Sequence, residues 1–404
     1  MLTQEQILQN IADNIHYFEA RTDADDPWGE RDVMKLSIGC TLRFYNGHSS
    51  EIRTLMPQLV KSFYDQFGQY FTGGCMHNKE SQTSYGKLTP KLLEKCFNPK
   101  SWQDVDEAIE FVWETSDAEE TSGYGFSIWL GDRYIRWDYL SEIHLTISYK
   151  QLNLFEPWLA FIKHICQNIP MHSGYLGYHS SLPDQYYAYQ EHQPPIAHRF
   201  YGCEIDDGLN PSIKSHPLGI KGINWLTILG PTFIEQMGGV NKLSQEALAL
   251  NLGVEQAGEN LIIQAGPYPD ICDNQMLPMN PYYVAVNHLL KPIRKATIGS
   301  LHMDSMTGKA VLDTAASDAW LRRFDQYPLS KTTSESAPSR YTGRTLRVGE
   351  TCTSTGWYEA LLLNNRREHF TQGQVVGGEP LSAHGQTIVW YELTPEAAKE
   401  YSHR

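Results

Sequence analysis

Two aspartates, Asp270 and Asp273, follow the apolar run Leu261-Ile262-Ile263 in the stretch ENLIIQAGPYPDICDNQ, residues 259 to 275. Carboxylates that arrive just after a buried strand often serve as catalytic or metal-binding groups in α/β enzymes. The same residues also spell a turn, because Gly, Pro, Asp and Asn each favour turn geometry for local reasons. As a catalytic pair the aspartates need a third polar partner and a cleft, and the sequence around them supplies neither. As turn residues they need nothing further, so a bend is the expectation.

The chain has 15 histidines and seven cysteines. His164, Cys166, His172 and His179 form the densest set of candidate metal ligands. His164 and Cys166 stand two apart on a predicted helix, where each residue turns about 100° from the last, so they face opposite ways. Chelation from a helix needs i and i+3 or i+4, so no metal and no cofactor is expected. Cys75 and His77 lie in the glycine-rich CMHN loop without a second ligand pair. A thiol nucleophile would need an exposed cysteine beside a histidine. Cys40, Cys166 and Cys203 fall in predicted strand or helix cores, which leaves the loop residues Cys75, Cys272 and Cys352 as candidates. The sequence contains no GxGxxG after a strand, no GxxxxGK[ST], no HExxH and no GxSxG, so no catalytic residue is assigned.

A third candidate is an acidic run, SWQDVDEAIEFVWETSDAEETSGYG, with no Lys or Arg between Ser101 and Asp132. Trp102, Val105, Ile109 and Val112 fit the buried stripe of an amphipathic helix, with Glu107, Glu110 and Glu114 as an outward row at i, i+3 and i+7. Like charges at that spacing cost a few tenths of a kcal/mol per pair, so helix stability does not favour them. The plain reading is a solvated face. The functional reading is a docking surface for a basic partner, extended by Asp117, Glu119 and Glu120.

The elements that must position these groups follow from periodicity. Leu36, Ile38, Cys40, Leu42 and Phe44 alternate with polar residues as in a strand, and Ile52, Leu55, Leu59, Phe63 and Phe67 follow at helical spacing. The order recurs with a strand at 142–148 and a helix carrying Leu152, Phe155, Leu159, Ile162 and Ile165. Further strands are predicted at 199–205 and 260–265, with a helix through PYYVAVNHLL. Alternating strands imply an α+β fold, with a mainly antiparallel sheet, one wet face and helices packed on the other. Residues 1–330 are expected to form this domain, behind an N-terminal helix bearing Ile7, Ile11, Ile15 and Phe18. Residues 331–404 are expected to form a polar linker and a small β-rich module, with Trp225 and Trp357 anchoring the two units.

With 404 residues and 41% hydrophobic content, the chain can bury a sizeable core. Its net charge of -14 argues against nucleic acid or an anionic membrane as partner and suits a basic one. The sequence shows no apolar run long enough to span a membrane and no basic start of a signal peptide. Unpaired cysteine usage fits a reducing compartment, so a cytoplasmic location is expected.

Several of these segments resemble a bacterial family of type VI secretion immunity proteins. GINWLTILGPTFIEQMGGV is similar to the family's centre, a tryptophan-leucine pair leading to a helix that ends at a double glycine, here Trp225, Leu226, Gly238 and Gly239. LIIQAGPYPDICDNQ is similar to its next signature, with Gly266, Pro269 and Asp273 in place and Cys272 where the family often has glycine. SGYLGY and RFYGCEID fall in the expected order, and the resemblance spans residues 33 to 300. GETCTSTGWYEA, with Gly356 and Trp357, resembles a small module of related immunity proteins, although Thr353 replaces the usual proline. The resemblance implies a structural role for these signatures and a protein that binds and neutralises a cognate toxin in bacterial competition. The alternatives are a metal-independent hydrolase or transferase using the 266–275 loop, and a scaffold component of the secretion machinery.

Overall fold

The computed structural model describes residues 2–22, 29–78, 81–82, 86–104, 106–115, 121, 123–134, 140–183, 189–205, 219–303, 309–329, 341–360, 366–378 and 389–399. The fold is α+β. Among these residues thirteen strands join in one sheet, whose main path runs 253–257, 260–264, 226–229, 173–181, 32–44, 141–148, 125–130, 109–114, 73–78 and 81–82. Neighbours along this path pair antiparallel, while the short Glu204–Ile205 strand lies parallel to Ser173–Ser181.

The central strand, Asp32–Phe44, explains the core. Its apolar residues meet like residues across the ladder, with Ile38 opposite Ile147, Cys40 opposite Leu145 and Leu42 opposite Ile143. On that face lie the helices Ser50–Phe67 and Leu152–Asn168. Phe63 of the first sits 4.2 Å from the Phe126 ring of the sheet and 5.2 Å from Phe161 of the second. Ser49 caps the first helix by accepting a hydrogen bond from the Ile52 amide.

The polar alternation does not mark a wet face. Ser37, Thr41, Arg43, Glu142, Thr146, Ser173, His179 and Ser181 are all buried. They meet one another: Ser37 Oγ lies 2.7 Å from Ser181 Oγ, and Thr41 Oγ1 lies 2.9 Å from His144 Nδ1. Arg43 Nε donates to Glu142 at 2.8 Å. Two buried ions complete this layer: Lys221 Nζ lies 2.8 Å from Glu204 and over the rings of Tyr175 and Trp320. Period-2 polarity therefore reports which side chains hydrogen-bond within a second buried layer.

Two further expectations change. The 199–205 segment is not one strand: a helix, Pro194–Arg199, runs into a turn, and only Glu204–Ile205 pairs with the sheet. Near the C-terminus, Tyr341–Arg347, Val389–Leu393, Gly356–Ala360 and Arg366–Phe370 form a separate four-stranded sheet over its own core of Leu346, Cys352, Tyr358, Phe370, Val376 and Trp390. Trp357 is only half-buried there, because strand alternation turns its neighbour Tyr358 inward. Of the polar linker expected at 329–343, residues 330–340 lie outside the described residues, and 341–343 open the Tyr341–Arg347 strand instead.

Candidate docking surface

The acidic run is not a helix. Residues 99–102 make one 3₁₀ turn and Ile109–Glu114 is a strand. Ile109, Phe111 and Trp113 alternate into the core, each fully buried, and a helical reading passes over the last two. The segment before the strand is held by Arg53, which donates to the carbonyls of Glu107 at 2.8 Å and of Gly131 at 2.9 Å, and also to Asp104. The Glu107 carbonyl is thereby committed to a side chain, where a helix would use it for an amide four residues on. Burial lowers the Arg53 pKa, against a smaller opposing effect of Asp104 and Asp132.

Glu107, Glu110 and Glu114 therefore form no row at helical spacing. Glu110 and Glu114 share the second face of the sheet with buried Val112 between them, and all three glutamates are half-buried. Glu110 lies 3.3 Å from His77. Asp117, Glu119 and Glu120 lie outside the described residues.

The 266–275 loop is a bend held by its own carboxylates. Asp273 accepts two hydrogen bonds from Arg199, at 3.0 and 2.8 Å, and a third from the Gln275 amide at 3.0 Å. Asp270 accepts from the Cys272 amide and from Asn280 Nδ2, each at 2.9 Å, while its own amide donates to Tyr283 Oη. Both aspartates are buried. Cys272 stands at φ 48°, in the left-handed region that glycine enters without strain, so the glycine conformation is kept with a cysteine side chain.

The signature residues frame this bend. Trp225 is buried, its Nε1 donates to the Gly266 carbonyl at 2.9 Å, and its ring lies 5.4 Å from Phe155. The Leu226–Leu229 strand leads to the Pro231–Gln236 helix, and Gly238 and Gly239 then turn the chain at φ 92° and 91° into the Val240–Ala249 helix. Pro269 is buried inside the bend, and in the small sheet Gly356 opens the strand that carries Trp357.

The candidate nucleophiles are all buried. Burial raises Cys40 and Cys272 well above the ordinary thiol range, and pushes Cys96 and Cys166 up to about 12. His164 is exposed while Cys166 is buried, as their helical spacing requires. Among the described residues no group of three His, Cys, Asp or Glu could hold a metal ion, and no helix is long and apolar enough to cross a membrane.

The family model described as TsiV, type VI immunity for VRR-NUC, matches residues 58–324. The chain belongs to the TsiV family. This TsiV-family fold is similar to that of the Pseudomonas aeruginosa T6SS protein PA0821, with a TM-score of 0.66 at 22% identity over 78% of this chain and 91% of that one. At that identity the likeness shows a shared fold alone. No curated protein matches the sequence. The family match takes in the acidic strand, the double-glycine turn and the 266–275 bend, and it ends before the small four-stranded sheet.

Buried ions are what the sequence did not disclose. Arg43, Arg53, Glu142, Glu204, Lys221 and Arg323 sit in the interior. Their partners stand far off in the chain, as with Arg43 and Glu142 or Lys221 and Glu204. No local pattern announces such pairs. Arg53 gives a faint signal, since it follows Ile52 on the buried side of an otherwise amphipathic helix.

Proposed function

We propose that this TsiV-family chain protects its bearer by forming a one-to-one complex with a cognate VRR-NUC toxin. The family match over residues 58–324 carries the reading. Taking VRR-NUC as a nuclease, the toxin must present Lys and Arg to the phosphate backbone of its substrate. A protector with net charge -14 is matched to such a surface. Glu107, Glu110 and Glu114 belong to the proposal as part of that attracting field, no longer as a helix-borne docking row. Seven free, buried thiols suit a reducing compartment, so we place the encounter in the cytoplasm. We take residues 331–404 as a separate module because its described strands enclose their own core.

The test is a titration of DNA cleavage by the purified toxin against this chain. Cleavage should fall linearly and vanish near one equivalent. Complete and lasting inhibition by a small fraction of an equivalent would mean that the chain acts by turnover, and stoichiometric binding would be wrong.

A further inference from the structure

Between the Pro231–Gln236 and Val240–Ala249 helices and the hairpin of Gly253–Ala257 with Asn260–Gln264 lies a half-open cleft of about 400 Å³. Ile234 and Val240 are buried in its lining and Pro231 is half-buried, with the buried amide of Gln256 among them. Glu235 and Glu259 line it, both exposed, and among the described residues neither makes an ion pair. The walls are firmly held. Asn260, at the base of the hairpin turn, donates to the carbonyls of Cys166 at 2.6 Å and Ile169 at 2.9 Å, and accepts from the Met171 amide at 2.7 Å. Opposite it, Gly238 and Gly239 fix the turn between the two helices.

We propose that this cleft receives an arginine or lysine side chain from the VRR-NUC toxin. The inference rests on the toxin-binding reading above and deepens it by naming a surface. Charge decides the class of occupant. The first turn of the Val240–Ala249 helix reaches the cleft and offers roughly half a positive charge. Two carboxylates outweigh it, so the cleft is net negative. A partly apolar lining beside two exposed carboxylates fits a side chain whose hydrocarbon stem needs burial while its cationic head stays near solvent. A guanidinium suits such a site best, because its fixed fork of donors can pair bidentately with a carboxylate. A nuclease supplies such side chains on the surface that a protector must cover. Pre-formed walls let a long side chain enter without ordering the host, which favours slow release.

The cleft lies at one end of the sheet, seven strands along the main path from the strand that carries Glu110 and Glu114. At roughly 4.8 Å per strand that is more than 30 Å, so the two acidic regions can be tested apart. The experiment measures binding of this chain to a catalytically inactivated form of its cognate VRR-NUC toxin. The variants are Glu235→Arg with Glu259→Arg, and a control, Glu94→Arg with Glu191→Arg, which changes net charge equally at exposed sites elsewhere. The cleft variant should bind at least about a hundredfold more weakly, mainly through faster release, and the control less than about threefold. Both should melt with the wild type, since the replaced residues are exposed. A folded cleft variant that binds as tightly as the control overturns the cleft assignment and leaves toxin binding standing. If the wild type itself forms no complex, the toxin-binding reading falls and takes the cleft with it.

Discussion

Replacing Trp225 with alanine separates a residue that builds the fold from one that touches the partner. Trp225 is 2% exposed, and its ring fills the space between Phe155 and the bend at Gly266. Truncating a buried tryptophan typically costs about 3–5 kcal/mol through lost burial and the cavity left behind. The lost indole hydrogen bond adds little, because the Gly266 carbonyl keeps a second donor, Gln264 Nε2 at 2.9 Å. Collapse is restricted, since the Trp225 carbonyl also accepts from the Ala265 amide at 2.7 Å and fixes the backbone there. In a domain of this size each kcal/mol lowers the melting temperature by roughly 1.5 °C, so Trp225→Ala should melt roughly 4–7 °C lower. Trp225→Phe keeps a ring against Phe155 and should lose less. The assay pairs thermal melts with protection of cells that express the toxin. Protection should fail only where the melt has fallen. A soluble Trp225→Ala protein of wild-type melting temperature that no longer protects would refute the argument and place Trp225 in the interface.

Four further outcomes follow from the same geometry. In the native protein an aromatic disulfide reagent should label almost none of the seven thiols, and all of them after denaturation; rapid native labelling would contradict their burial. Breaking the Lys221–Glu204 pair by Lys221→Met should cost roughly 3–5 kcal/mol, and adding Glu204→Leu should recover much of it, so equal costs for single and double variants in denaturant melts would count against an uncompensated charge. Asp325 is held well below the usual carboxylate range, first by hydrogen bonds from Arg294 and against the opposing effect of burial, so its stabilisation is present above about pH 4 and lost as pH falls; Asp325→Asn should therefore be less stable at pH 7, with the gap closing in acid melts. Cys272→Val should destabilise more than Cys272→Gly, because a β-branched residue is strained at φ 48° while glycine is not, and the reverse order of melting temperatures would show that packing of the side chain dominates.

The parts of this fold that were legible in the sequence are those set by neighbours in the chain. Ile52, Leu59 and Phe63 announce a helix, and Ile38, Cys40 and Leu42 a strand, because one side of each is packed in the main core. Asp270 and Asp273 read as a bend for reasons local to turns, and their hydrogen bonds to nearby amides agree. The acidic strand was misread for a definite cause. Trp102, Ile109 and Val112 match a helical stripe by chance, while the contacts that decide the matter are non-local: Arg53 holding the carbonyls of Asp104 and Glu107, and the pairing of Ile109–Glu114 with Gly73–Asn78 and Gly125–Leu130. The half-burial of Trp357 turns on the register between adjacent strands, one residue of which exchanges it with Tyr358.

Under the proposed reading, a protector must be both quick and slow to let go, and these demands fall on different features. Speed comes from the summed field of a chain with net charge -14, to which no single glutamate is essential, and it should fade as salt screens charges beyond about 8 Å. Retention needs short-range fit on a surface that does not yield. The structure has such surfaces where polar side chains are spent on the backbone: Asn260 under the hairpin, Asp270 and Asp273 in the bend, and Arg53 under the acidic strand. Asn260, Asp273 and Arg53 each tie a loop to an element distant in sequence, Asp270 closes its own bend, and none is free to serve as a contact itself. The contact residues are then expected to be exposed neighbours of these ties, such as Glu259 beside Asn260. A substitution at a tie should weaken protection together with stability, and one at a neighbour should weaken protection alone.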